Sequence, residues 1–204
     1  MFHQFFKNSL STGLSLALLL GAVGCSTSVK RMDPGQVADL SGAWNDTDSQ
    51  LVSQEMIGDV VARAWLDDFS RSKNRRPAVI VGEVNNLSHE HINVKTFVSD
   101  MERALINSGK VEFVASSAER QEVRGERKDQ DLNATEATRK AMGQEVGADF
   151  MLKGTINTII DASGDTQVRF YQVDLTLISM ADNRKVWVGQ KKIKKLVERS
   201  NLRF

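Results

Sequence analysis

Between residues 168 and 179 the chain alternates in character. Tyr171, Val173, Leu175 and Leu177 share one parity, while Gln172, Asp174 and Thr176 share the other. A strand of this period has one apolar face and one wetter face. It therefore belongs in a sheet covered on one side only, and the rest of the chain must supply the cover. Residues 150–159 and 185–193 read as strands on either side of it, with turns at 161–165 and 181–184. The C-terminal part is thus expected to be a three-stranded antiparallel meander.

The covering elements precede it. Residues 48–69 predict a first helix. Ile57, Val61, Trp65 and Phe69 recur every four residues, and Val52, Met56, Val60 and Ala64 form a second row, a wide apolar stripe that needs burial. Thr47 with Gln50 fits a capping box, and Asp46 and Asp48 suit the helix N-terminus. The apolar, β-branched run at 77–84 predicts a central strand. A second helix follows, capped by Asn93, with Val94, Phe97, Val98, Met101 and Leu105 inward and Gly109 as its stop. Residues 111–114 read as a short strand. Residues 116–147 read as two polar helical pieces separated by an exposed break at 125–130, the second capped by Asn133 and Glu136. The fold class expected is α/β, a mixed sheet of about five strands with helices packed on it.

The N-terminus stands apart. Lys7 precedes an apolar run over 10–23 that is too short for a permanent span, which needs about 20 apolar residues. A basic start, apolar middle and small-residue end make a secretory signal. It ends in Ala22-Val23-Gly24-Cys25, which resembles a lipobox, and Cys25 is the one cysteine of the chain. Cys25 is accordingly the expected lipidation site, and a disulfide within the chain is impossible. The organisation expected is a signal peptide over 1–24, a lipidated N-terminus and tether over 25–43, and a globular domain over 44–204. At about 3.5 Å per residue the tether reaches roughly 60 Å when stretched. The whole chain has 27 Lys and Arg against 26 Asp and Glu; removing residues 1–24 takes away Lys7 alone and leaves the charges balanced. Balance gives no general attraction to nucleic acid.

Little in the sequence suggests catalysis. His89 and His91 flank Glu90, but no third histidine or further cysteine completes a metal set in the mature chain, so they read as a solvated loop before a helix. Neither a nucleophile elbow nor a phosphate-binding glycine loop occurs. Asp149 and Asp174 read as solvating strand faces rather than as an acid and base. Met56, Met101, Met142, Met151 and Met180 read as filler for the predicted elements. No catalytic residue, metal or cofactor is expected. Lys191, Lys192, Lys194 and Lys195 form the sharpest charge cluster, suited to protecting an edge strand or to meeting an anionic lipid or acidic partner.

Three segments carry a resemblance. Leu40-Ser41-Gly42-Ala43-Trp44-Asn45-Asp46-Thr47-Asp48-Ser49, Val79-Ile80-Val81-Gly82-Glu83-Val84-Asn85-Asn86 and Gly147-Ala148-Asp149-Phe150-Met151-Leu152-Lys153-Gly154 resemble the penicillin-binding protein activator LpoB family, as does the turn before Lys185-Val186-Trp187. The resemblance implies an outer-membrane lipoprotein facing the periplasm that activates a class A penicillin-binding protein without being an enzyme. It also implies a domain similar to the N-terminal domain of TolB, and Ser26 after the cysteine resembles the outer-membrane sorting pattern. An alternative from another class is a subunit of a secretion or envelope-assembly complex, because the curli-secretion lipoprotein CsgG has a related periplasmic domain. That role needs long amphipathic strand pairs to cross a membrane, and no extra segments of that kind are present. A regulator needs an exposed contact patch. With Phe150, Leu152 and Ile156 facing the core, Met151, Lys153 and Thr155 are the expected partner-binding residues, an apolar side chain beside a charge.

Overall fold

The computed structural model describes residues 27–140, 143 and 145–198. Cys25 and Met142 lie outside them. The described residues fall into two units, 27–36 and 37–198. In the first, the described part contains a turn closed by the Gln36 N–H on the Asp33 carbonyl at 3.0 Å. No helix among the described residues is long and apolar enough to cross a membrane.

The second unit is built in the order α1 (Asp46–Val60), α2 (Ala64–Lys73), β1 (Ala78–Asn86), α3 (Val94–Asn107), β2 (Glu112–Phe113), α4 (Ser117–Asn133), β3 (Phe150–Ser163), β4 (Thr166–Ser179) and β5 (Lys185–Glu198). The sheet order is β2-β1-β3-β4-β5. β1 is parallel to both β2 and β3, and β3, β4 and β5 form the antiparallel meander. The mixed five-stranded α/β architecture read from the sequence is the one found.

The core lies between one sheet face and the helices. Val52, Met56, Ile57 and Val60 of α1 and Phe97, Met101 and Leu105 of α3 meet Leu152, Ile156, Val173, Leu175, Leu177 and Trp187 of the meander, all buried. β1 contributes both Val81 and Val84, which an ordinary pleat would send to opposite faces. One extra residue on β1 between these positions shifts the register against β3 and turns both valines inward. Gly154 sits at a core-facing position of β3 where a Cβ would stand 2.6 Å from the Asp174 carbonyl oxygen and 2.4 Å from Leu175 Cδ2. β3 and β4 approach this closely only because the side chain is absent.

Several expectations change. The first helix is two helices. After Val60 the chain makes short-range turns, and Arg63 is extended and starts α2. No Gly or Pro marks this break. The Trp65 indole N–H donates to the Val60 carbonyl at 2.7 Å, satisfying a group that the end of α1 leaves open. The four-residue spacing of Ile57, Val61 and Trp65 survives the break and all three are buried, but Phe69 is only half-buried and Ala64 is exposed. The capping box is formed by Asn45 and Asp48, not Thr47 and Gln50: each side chain accepts the other residue's N–H at 3.0 Å. α4 runs straight through the expected break at 125–130. A glycine inside a helix costs only about 1 kcal/mol, and the Ser116–Glu119 capping box starts the helix firmly. α4 buries none of its residues. Residues 135–139 make a turn in place of a second helical piece. The meander strands are longer than expected, each 14 residues, and the first hairpin closes on Gly164 and Asp165 alone, with Gly164 at φ +58°. A positive φ at the first linking residue is what a type II′ hairpin requires.

Residues 39–45 strap across β4 and β5 near Tyr171, Lys195 and Val197. The Glu90 carboxylate is the hub. It accepts from the Tyr171 hydroxyl at 2.7 Å, the Arg169 guanidinium at 2.9 Å and the Trp44 N–H at 3.0 Å. Lys195 donates to Asp39 and Asp48, both at 2.7 Å. Trp44 packs edge-on against Tyr171 and Phe97, and its indole N–H donates to Ser49 at 2.9 Å. Burial, then the Glu90 carboxylate, raises the Tyr171 pKa far above its ordinary value. Burial lowers the Lys195 pKa, but its two carboxylate partners outweigh that and the net shift is upward.

Candidate partner-binding face

The meander's second face carries the residues singled out for a partner. Phe150, Leu152 and Ile156 are buried in the core, so the alternation of β3 turns Met151, Lys153 and Thr155 outward. Lys153 is exposed, and Met151 and Thr155 are half-buried. Met151 loses part of its exposure to β1, because Gly82 leaves room for it. A Cβ on Gly82 would stand 2.8 Å from Met151 Sδ and 3.3 Å from Lys153 Cγ.

The antiparallel register extends this patch across three strands. Lys153 pairs with Thr176, and Thr176 with Val188, which is 62% exposed. Thr155 pairs with Asp174 and Asp174 with Gln190. Gln172 and Gln190 each donate to the Asp174 carboxylate at 2.8 Å, fixing it in the middle of the face. Further along, Ile159, Phe170 and Lys194 lie side by side, with Ile159 65% exposed. The face is rigid, mixed in polarity and open to solvent, as a recognition surface for another protein would be.

The lysine cluster divides by parity. β5 is an edge strand. Lys191 and Lys195 turn to the helix side and pair with Glu55 and with Asp39 and Asp48. Lys192 and Lys194 are exposed on the outer face. Half the cluster thus holds the fold together, and half colours the open surface.

The remaining candidates do not assemble a reactive centre. His89 Nδ1 lies 3.3 Å from the Thr158 hydroxyl, and Glu90 is committed to the strap. Among the described residues no group of three or more His, Cys, Asp or Glu converges as a metal site. Asp149 and Asp174 are separated by about six strand positions, roughly 20 Å. Asp149 receives two Arg75 hydrogen bonds at 2.7 Å and the Ala78 N–H at 2.8 Å. Burial raises its pKa, but these donors outweigh that and leave it below the ordinary carboxylate value. Met56 and Met101 are core residues as expected, whereas Met180 is half exposed at the turn after β4, where the strand has left the core. The role of Glu90 was missed from sequence because nothing nearby in the chain marks its partners, which are 79 and 81 residues away.

Comparison with known proteins gives the following. No curated protein sequence matches. Among solved structures, the chain is similar to the LpoB C-terminal domain from Escherichia coli at 15% identity and a TM-score of 0.45, over 72% of this chain and 99% of that one. It is similar to the NMR structure of E. coli LpoB at 14% identity and a TM-score of 0.41, over 87% and 85%. Lipoprotein GNA1162 from Neisseria meningitidis gives 15% identity and a TM-score of 0.40, over 62% and 88%. The sequence profile of the peptidoglycan-synthase activator LpoB matches residues 48–193, from the first turn of α1 to the middle of β5. On that match, the chain belongs to the peptidoglycan-synthase activator LpoB family.

Proposed function

We propose that this chain is an outer-membrane lipoprotein that binds a bifunctional class A penicillin-binding protein and activates its synthesis of peptidoglycan, with no catalytic step of its own. Family membership over residues 48–193 carries the reading. Residues 1–24 serve as the signal peptide and Cys25 takes the lipid. The tether over 25–43 leads to the domain that follows, with its last residues held in the strap. The contact is made through Met151, Lys153 and Thr155. The exposure of Lys153, between a thioether and a hydroxyl on one rigid strand, supports that choice.

An activator acts by binding one state of its partner better than another, so its effect is limited by that difference in affinity. A contact on a rigid strand suits this, because little order is lost on binding. The test is the double substitution Lys153→Glu and Thr155→Arg in the mature protein, with melting checked first. Binding to the synthase and stimulation of its glycan polymerisation are expected to fall together. If both persist at wild-type level in a well-folded variant, the face is wrong. Separately, Cys25→Ser is expected to abolish incorporation of an alkyne fatty acid, and undiminished labelling would remove the anchor from the reading.

A further inference from the structure

One end of the domain holds an open trough of about 1050 Å³ between α2, the start of β3 and the turn joining β4 to β5. Its floor is aromatic. Phe150 receives Trp65 and Phe69 edge-on, with ring centroids 4.9 Å and 5.3 Å away. Met180, half exposed, lines one wall. The walls are fixed. Arg75 lies 5.1 Å over the Phe69 ring while its two hydrogen bonds grip Asp149. The Met180 N–H donates to the Asp149 carbonyl at 2.8 Å, and the Ser179 N–H closes the turn on the Arg184 carbonyl at 2.8 Å.

The rim is charged in an uneven way. Its three carboxylates are already neutralised: Asp68 by Arg71 at 2.6 Å, Asp149 by Arg75 at 2.7 Å and Asp182 by Arg184 at 2.6 Å. Two cations remain. Lys73 and Lys185 line the trough, are exposed, and form no salt bridge among the described residues. Lys73 also acts through space on Asp149, but neither lysine holds an ion pair of its own among the described residues, and an apolar floor between two such ammonium groups fits an apolar side chain flanked by carboxylates. The trough is open-sided and at the upper end of the size range of small-molecule pockets, so it admits an extended chain segment that enters and leaves at its ends. Two lysines among paired acids make too small a basic surface for a lipid bilayer. A second copy of the same surface would bring like charge against like.

We propose that this trough binds an extended acidic peptide segment of a protein partner, seating an apolar side chain on the Phe69–Phe150 floor against Met180 and its carboxylates on Lys73 and Lys185. The site is distinct from the outer sheet face. Phe150 points to the side of the sheet opposite Lys153, so either contact can fail without the other.

The probe is a fluorescein-labelled hexapeptide with Leu-Phe at its centre and Asp or Glu at the other positions, titrated with the mature protein by anisotropy. Controls replace the acids with Lys, or Leu-Phe with Ser-Ser. The acidic peptide is expected to bind, more weakly at high salt, and both controls to fail. Lys73→Glu with Lys185→Glu is expected to weaken binding by about tenfold or more. Lys153→Glu with Thr155→Arg is expected to leave it unchanged. Both lysines are exposed, and unchanged melting of each variant confirms its fold. The proposal is overturned if the acidic peptide does not bind, if the basic control binds as well, or if charge reversal leaves affinity intact. Self-association abolished by Met180→Glu, or flotation with anionic vesicles that depends on the two lysines, would assign the trough to a second copy or to lipid and overturn it equally.

Discussion

Gly189 offers a quantitative test of how the edge strand is seated. The Trp187 ring is folded back over it, two residues along β5 on the same face. A Cβ at position 189 would stand 2.1 Å from Trp187 Cζ2, 2.3 Å from Cη2 and 3.1 Å from Met56 Cε. Carbon atoms pack at about 3.5–4.0 Å, so the ring must move by roughly 1.5 Å. Its freedom to do so is small, since Trp187 is buried and its indole N–H donates to the Asp59 carboxylate at 2.7 Å. Overpacking of this kind costs about 1–3 kcal/mol. Losing the hydrogen bond adds about 1 kcal/mol, below the usual range of about 1.5–3 for a charged acceptor because the Asp59 side chain is partly exposed and keeps Arg63. Against this, alanine in place of a strand glycine returns about 0.5–1 kcal/mol. Gly189→Ala is therefore expected to destabilise by about 1–3 kcal/mol net, read as a lower urea midpoint at unchanged m-value. In a Trp187→Leu background the same substitution is expected to be neutral or stabilising, a coupling that a double-mutant cycle isolates. Gly189→Ala costing less than about 0.5 kcal/mol, or as much without the indole as with it, would refute the packing argument.

Three further predictions follow the same logic. Glu90→Gln leaves the half-buried Arg169 without its counter-charge and is expected to cost about 3 kcal/mol, measured by urea unfolding, with Trp44 fluorescence changed. Gly125 lies inside α4 with open space where a Cβ would stand, so Gly125→Ala should slow amide exchange across α4, by up to about 1 kcal/mol of local stability. The folded-state pKa values of Tyr171 and Lys195 are both raised. Their contribution is thus complete below the unfolded values near about pH 10 and lost as pH rises beyond them. Wild type should lose stability steeply above about pH 10, and Tyr171→Phe should flatten part of that slope.

The sequence speaks most clearly where a local period repeats. The parity of Tyr171, Val173, Leu175 and Leu177, and the stripe of Phe97, Met101 and Leu105, are both found as read. The Asn93 cap and the Gly109 stop are also found, because each is a short-range steric or hydrogen-bonding demand. The break after Val60 was illegible, since an indole reaching one main-chain carbonyl leaves no mark in residue spacing. Strand length was underestimated because residues 160–163 and 194–198 place no side chain fully in the core. The outward patch at Met151, Lys153 and Thr155 was readable from parity. The trough was not, since its cationic excess depends on which carboxylates already have arginine partners.

The strap also has a mechanical meaning. Residues 39–45 do not run into the domain through α1 alone; they are stapled to the far end of the meander by Lys195, Tyr171 and the Glu90 hub. A pull on the chain from its N-terminal side is therefore met first by Asp39 against Lys195, then by the Gly42 carbonyl against Tyr171, before any turn of α1 is strained. Lys195 and Tyr171 sit on strands held by continuous ladders through β3 to β1. Tension is spread over the width of the sheet rather than peeling one helix. The domain can be tugged from its N-terminal side while the geometry of its outer sheet face stays fixed.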